Sequence, residues 1–316
     1  MEWIHDSVKK AKEAGAKKVF VQVPECLKTQ LLDIGKAMEK AGIEAVLSCE
    51  PCYGACDLRD AEAKRLGCEL LLHIGHADMG VKTAIPVIYE EYPIEADAEG
   101  LLRKNLSGLK GYGKIGLFTT VQHIQLIGSV KKLLESEGRT VLVGKPNKAK
   151  YPGQLLGCDQ SAAKSVEGKA DAFLFMGSGV FHPLGLAMAT DKPVLFIDFE
   201  SGKLVDMSQE KARFERIRFA NVEKAKDCKN FGILISTKPG QSSYSAAREA
   251  KRKLEMKGRH AWILAMDTIT PDKLLGLKLD CLVNCSCPRL RDDASQLKRP
   301  VIGPEDIEKL QQITAS

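Results

Sequence analysis

The chain has 316 residues, 44% hydrophobic and 28% charged, the balance of an ordinary soluble globular protein with length for two or three cores. Its net charge of +6 is spread as lysines along helical stretches, without interleaved aromatics, so it reads as solvated helix faces and argues against a nucleic-acid surface. No apolar run approaches the roughly 18 residues of a membrane helix, and the charged, helix-like start Met1-Glu2-Trp3-Ile4-His5-Asp6 has no apolar signal core, so the expected location is cytoplasmic.

The predicted elements repeat. A strand over residues 17–24 is followed by a helical period over 29–41 that stops at Gly42, then by strands over 43–48, 69–74 and 85–89. The order returns with a strand at 114–119, a helix at 124–137 ending at Gly138, and strands at 139–143, 171–176 and 193–198. It returns again with a strand at 231–236, a helix at 244–257 ending at Gly258, and strands at 259–264, 280–284 and 300–302. Glycine after each helix supplies the left-handed cap. Apolar strands alternating with helices predict βαβ units. The expected fold is α/β: three homologous domains, each a small parallel sheet flanked by helices, packed around a central site. Charged amphipathic stretches near 94–109 and 207–227 join the units, giving domains 1–110, 111–228 and 229–316.

Ligands of open parallel sheets sit beyond the carboxyl ends of the strands, and there this sequence collects Cys, His, Gly and Thr. Ten cysteines are many for a reducing compartment, where disulfides are rare, so metal or redox chemistry is the default reading. Cys56-Asp57 and Gly157-Cys158-Asp159 each follow a second strand and precede a predicted helix, whose N-terminus favours a thiolate. Cys285-Ser286-Cys287-Pro288-Arg289 follows a third strand instead. Three thiolates, one per unit, suit a cubane of four irons with one open coordination site. Zinc prefers a closed four-ligand site with paired knuckles. A local alternative is the C-x2-C-x3-C trio Cys49, Cys52 and Cys56, the mirror of the ordinary radical-SAM spacing, although a three-block chain does not offer that barrel. Cys26, Cys68, Cys228 and Cys281 read as structural thiols.

His73-Ile74-Gly75-His76 closes the third strand of the first unit, and Gly177-Ser178-Gly179-Val180-Phe181-His182-Pro183 occupies the matching place in the second. The Gly-Ser-Gly turn can bring backbone N–H groups to a carboxylate or phosphate. His76 and His182 are pocket candidates or packed structural histidines. Gln22, Thr119, Thr120, Thr237 and Lys238 close the first strands, and either line a pocket or cap the next helix. There is no P-loop, no Gly-x-Ser-x-Gly elbow, no zincin motif and no dinucleotide fingerprint, which argues against an ATPase, an α/β hydrolase and a nicotinamide dehydrogenase.

Tyr53-Gly54-Ala55-Cys56-Asp57, Gly157-Cys158, Gly179-Val180-Phe181-His182-Pro183 and Cys287-Pro288-Arg289, in this order, resemble the archaeal diphthamide-synthesis enzymes, the 2-(3-amino-3-carboxypropyl)histidine synthases. The resemblance runs from the first strand to Gly303-Pro304-Glu305-Asp306. It implies a radical-SAM group outside the ordinary barrel type, with three homologous domains and a 4Fe-4S cluster held by Cys56, Cys158 and Cys287. S-adenosylmethionine would bind at the open iron and break at its Cγ–S bond. The 3-amino-3-carboxypropyl group would go to C2 of a histidine of translation elongation factor 2, leaving methylthioadenosine. A homodimer and an electron donor are implied as well. On this reading Gly177, Ser178 and Gly179 hold the methionine carboxylate, while His76, His182, Gln22 and Thr119 line the S-adenosylmethionine pocket; Cys52 and Cys285 stand as alternative ligands. Two rival readings are a quinolinate-synthase-like cluster enzyme, which shares the three-unit plan but not these cysteine contexts, and a zinc-stabilised module without catalysis.

Overall fold

In the computed structural model, which describes residues 2–241, 243–291 and 294–311, the thrice-repeated strand–helix order becomes three sheets. The first repeat runs α1 (Glu2–Glu13), β1 (Lys18–Gln22), α2 (Leu31–Lys40), β2 (Glu44–Leu47), α3 (Asp60–Arg65), β3 (Leu70–Ile74) and β4 (Val87–Glu90). The second runs α4 (Ala98–Asn105), β5 (Lys114–Thr119), α5 (Ile127–Ser136), β6 (Thr140–Leu142), α6 (Ser161–Lys164), β7 (Ala172–Gly177), α7 (Phe181–Ala189), β8 (Val194–Asp198) and β9 (Lys203–Asp206). The third runs α8 (Ser208–Ala225), β10 (Asn230–Ser236), α9 (Tyr244–Met256), β11 (His260–Met266), β12 (Cys281–Asn284) and β13 (Val301–Ile302). The strand orders, β2-β1-β3-β4, β6-β5-β7-β8 and β11-β10-β12-β13, are one order written three times, with parallel pairing throughout. Among the described residues only β9, absent from the sequence reading, adds an antiparallel edge.

Two local devices recur in every repeat. After α2, α5 and α9 the chain turns on Gly42, Gly138 and Gly258, with φ of 79°, 79° and 77°. Each turn closes with the same pair of bonds, such as Gly42 N–H to Glu39 O at 2.9 Å and Ile43 N–H to Met38 O at 3.0 Å. The second device was not foreseen. A carboxylate just before the third strand accepts two backbone N–H groups at the start of the first: Glu69 from Lys17 and Lys18, Asp171 from Gly113 and Lys114, Asp280 from Lys229 and Asn230, at 2.6–3.4 Å. This pins the register of the central strand pair, and register decides which residues reach the carboxyl end.

The central strands β3, β7 and β12 are buried along their whole length, as parallel strands covered on both faces must be. The charged stretches near 94–109 and 207–227 fold as helices that pack on the sheet that follows them. Ala98 and Leu102 of α4 join the second sheet's core, and Val222 and Ala225 of α8 join the third's, as Ile4 and Val8 of α1 do in the first. Each repeat therefore begins with its own helix. By compactness the chain divides into residues 1–207, with the first two sheets, and residues 208–316, with the third.

Candidate functional site

In each sheet the chain leaves the first strand to one side and the third strand to the other. A crevice results at the carboxyl ends, between β1 and β3, between β5 and β7, and between β10 and β12.

At the first crevice Gln22 and His73 are register partners, both fully buried. Gln22 donates from Nε2 to the Asp57 carbonyl at 2.7 Å and accepts the Arg59 N–H on Oε1 at 3.3 Å, which fixes the amide's orientation. Oε1 also lies 3.1 Å from His73 Nδ1, so that nitrogen carries the proton. His73 Nε2 is then an acceptor, and the partner 3.0 Å away, His76 Nδ1, is its donor. Burial, then the charge of His76, pushes His73 well below the usual imidazole range; burial, then the charge of His182, lowers His76 to about 4. Both rings are neutral at physiological pH. Gly75, between them, has φ of 88° and would set a Cβ 3.0 Å from Pro24 Cγ. Its N–H donates to Glu90 O and its carbonyl accepts from Gln122 Nε2, both at 2.6 Å.

The Cys56 loop closes on Asp57, which is 1% exposed and whose carboxylate accepts the Tyr53 N–H at 3.2 Å. At the second crevice the Cys158 loop docks directly on the end of β5. Thr119 N–H donates to Gly153 O and Leu155 N–H to Thr119 O, both at 2.9 Å. Asp159 plays the part of Asp57: its carboxylate accepts N–H groups from Lys148 at 2.8 Å, Ala149 at 3.3 Å and Ser161 at 3.0 Å. Burial opposes ionisation of Asp159, and the Ser161 side chain together with these N–H groups outweighs it and holds the carboxyl below its usual range. Near Cys287 the same job falls to Asn284, whose Oδ1 accepts the Ser286 N–H at 2.9 Å while Nδ2 donates to Cys287 O at 3.0 Å.

Cys56 is half-buried and Cys158 exposed. Crowding by the surrounding atoms, then the charge of Cys56, pushes the Cys158 thiol up. This corrects the expectation of a thiolate favoured by a following helix. Helix α6 is a single turn of four residues beginning three positions after Cys158, too short to offset that crowding and the charge of Cys56. That the charge of Cys56 reaches Cys158 puts sulfurs from two sheets near each other, a donor set that a cationic iron–sulfur core would satisfy. Cys287 is half-buried, whereas Cys285 lies in the third sheet's core, its thiol pushed up to about 11 by burial and then by Glu305. Cys49, Cys52 and Cys56 do not share one environment. Cys49 is exposed, and Cys52 is 3% exposed with its Sγ within 4.8 Å of ring nitrogens of His73 and His76. That last trio has metal-ligand spacing, but its two imidazoles already satisfy each other. Of the four cysteines read as structural, Cys68, Cys228 and Cys281 are buried; Cys26 is exposed, because its segment forms a surface 3-10 turn rather than core.

Beside the second crevice opens a cavity of about 500 Å3 whose walls include Thr120, Gln122, His123, Ser178, His182 and Glu200. The His182 ring stacks parallel to Phe175, at 6.2 Å, and meets Phe181 edge-on, at 5.1 Å. Phe181 in turn covers Gly157, where a Cβ would overlap the ring. Ser178 and Gly179 are exposed, Gly179 with φ of 76°, and Gly177 is buried. Gln22 and Thr119 present nothing to solvent: Gln22 is spent as described, and Thr119 donates from Oγ1 to Met176 O at 2.6 Å. Sequence reasoning passed over His73, Gln122, His123 and Asn284. Gln122 and His123 lie just past the end of β5, as Gln22 lies at the end of β1.

A family model for diphthamide synthesis proteins matches residues 23–315. The chain belongs to that family. A relative from Pyrococcus horikoshii named 2-(3-amino-3-carboxypropyl)histidine synthase is 38% identical over 96% of this chain and 88% of its own length. One of the same name from Methanocaldococcus jannaschii is 31% identical over 92% and 83%. Subunit 1 of the Caenorhabditis elegans synthase is 27% identical over 94% and 76%. The crystal structure of Dph2 from Pyrococcus horikoshii matches with a TM-score of 0.92 at 36% identity, covering 99% of this chain and 91% of that one. A second crystal structure of Dph2 from that organism, with a 4Fe-4S cluster, also matches at 0.92, with 37% identity over 97% and 89%. Among the described residues no helix is long and apolar enough to cross a membrane.

Proposed function

We propose that this diphthamide-family protein transfers the 3-amino-3-carboxypropyl group of S-adenosylmethionine to C2 of a histidine on translation elongation factor 2, with a 4Fe-4S cluster held by Cys56, Cys158 and Cys287. The observation that carries the reading is the pair of Cys-Asp loops, each fixed to a first strand, with Cys56 half-buried, Cys158 exposed and the two close enough for the charge of one to reach the other. The cluster in the matching Dph2 structure and the names of the relatives support it. Family membership sets aside the quinolinate-synthase and zinc-module readings.

When bound, the cluster supplies one electron and an iron open to a ligand. The chain's own residues then decide which C–S bond faces that iron, so positioning is their main task. The exposed turn at Ser178 and Gly179 offers N–H groups to the methionine carboxylate. The cavity bounded by His123, His182 and Glu200 is within the size range of small-ligand sites and gives the nucleoside half a place. An electron donor is required, and the homodimer implied by the sequence is open to measurement of mass in solution.

The test is anaerobic reconstitution, reduction, and addition of S-adenosylmethionine with and without elongation factor 2. Methylthioadenosine and a partner heavier by one aminocarboxypropyl group are expected. Formation of 5′-deoxyadenosine without modified partner would contradict the proposal.

A further inference from the structure

We infer that His76 is the base that takes the C2 proton of the substrate histidine, held in its accepting tautomer by Gln22 and His73. The inference rests on the transfer reading above. When a carbon radical adds to C2 of an imidazole, a C–C bond forms and aromaticity is lost. It returns only when the C2–H bond breaks: the proton goes to a base, and the unpaired electron leaves to a one-electron acceptor of the iron–sulfur class. A site that only cleaved S-adenosylmethionine would not need that base.

The hydrogen bonds assign the role atom by atom. The Asp57 carbonyl and the Arg59 N–H orient the Gln22 amide; Gln22 Oε1 puts the His73 proton on Nδ1; His73 Nε2 puts the His76 proton on Nδ1. The remaining nitrogen of His76, Nε2, therefore carries a lone pair. Burial and the charge of His182 keep the ring neutral, so this lone pair is present at every physiological pH. Position supports the role too. The chain of bonds starts at Asp57, next to Cys56. His182, near enough for its charge to reach His76, packs against Phe181, which covers Gly157 next to Cys158. The left-handed Gly75 and its two 2.6 Å bonds hold the turn that carries His76. The other histidine beside the crevice, His123, is tied through Nδ1 to the Ile94 carbonyl at 3.1 Å and packed on Phe199. Gln22 and His73 act through His76 and are positioning residues.

Two measurements test this. In the cluster-free chain, 15N-imidazole spectra at neutral pH should show His76 as the Nδ1–H tautomer; an Nε2–H tautomer, or tight zinc binding by Cys52, His73 and His76 that turns Nδ1 into a ligand, would overturn the inference. In the loaded enzyme His76→Gln keeps a donor for His73 Nε2 but has no basic nitrogen. Modified partner per methylthioadenosine formed should fall by about 100-fold, the low end for loss of a general base, so that transfer uncouples from whatever cleavage the variant supports. A parallel fall in both, or an unchanged ratio, would contradict the role. If the wild-type protein cleaves S-adenosylmethionine without modifying the partner histidine, the transfer reading itself fails and this inference with it.

Discussion

Gly157 shows how little room surrounds a cysteine of this site. A methyl group there would overlap the Phe181 ring, so either the ring or the Cys158 loop must shift. Overpacking of this kind costs about 1–3 kcal/mol. We expect Gly157→Ala to keep its far-UV circular dichroism and to lose most of the iron taken up on reconstitution; full iron uptake would show that the loop tolerates the displacement. Asp159 is the second such residue. Replacing it with alanine removes the acceptor of three backbone N–H groups, at about 1–3 kcal/mol for each left buried without a partner. Asp159→Ala should lower both the melting temperature and the iron content, and Asp159→Asn should fall between it and the wild type. Cys56, Cys158, His76 and His182 stood out as candidates because rare residue types cluster at strand ends. The supporting roles of Gln22 and Thr119 were not, because pleat and register decide whether the last side chain of a strand faces a pocket or the core.

At the scale of elements, α8 is fastened to the third sheet by a buried carboxylate. The Arg218 guanidinium meets both oxygens of Asp306 at 2.7–3.1 Å, and Lys309 Nζ and Gly303 N–H approach at 3.0 and 3.2 Å. The Asp306 side chain is 1% exposed and that of Arg218 29%. Arg218→Ala leaves that carboxylate without its main partner, and about 3 kcal/mol should be lost, read as a lower denaturation midpoint of the full chain. Burial opposes ionisation of Asp306, but Arg218, Lys309 and Gly303 hold it below its usual range. The stabilisation is therefore present above the unfolded-state value near 3.9 and lost as pH falls below it, so the variant's acid limb should be flatter there. The strand and helix order and the glycine stops were readable from periodicity. The Glu69, Asp171 and Asp280 staples were not, since a carboxylate between a helix and a strand looks like any loop residue until register sets it against the first strand.

For the molecule as a whole, one strand order in three sheets means that the same topological point is available three times. Two of the three carry a Cys-Asp loop after the second strand, and the third carries Cys287 after the third strand, so the repeat does not extend to the third cysteine. The buried His73 and His76 also set a pH limit on the whole chain. Both are lowered from an unfolded value near 6.5, so the unfolded state binds protons that the folded state refuses. Stability should fall as pH drops from about 6.5 towards 4 and not respond to these groups above that window. A melting temperature that declines on acidification, with a shallower decline in His73→Gln, is the expected result; identical slopes would place the acid sensitivity elsewhere.

The central claim is that Cys56, Cys158 and Cys287 hold one 4Fe-4S cluster. Iron and acid-labile sulfide, measured after anaerobic reconstitution of single Cys→Ala variants, test it most directly. Loss of cluster in Cys56→Ala, Cys158→Ala and Cys287→Ala, with near wild-type content in Cys49→Ala, Cys52→Ala and Cys285→Ala, is what the account predicts. Loss in Cys49→Ala and Cys52→Ala, with retention in Cys158→Ala and Cys287→Ala, would contradict it and move the cluster to the local trio.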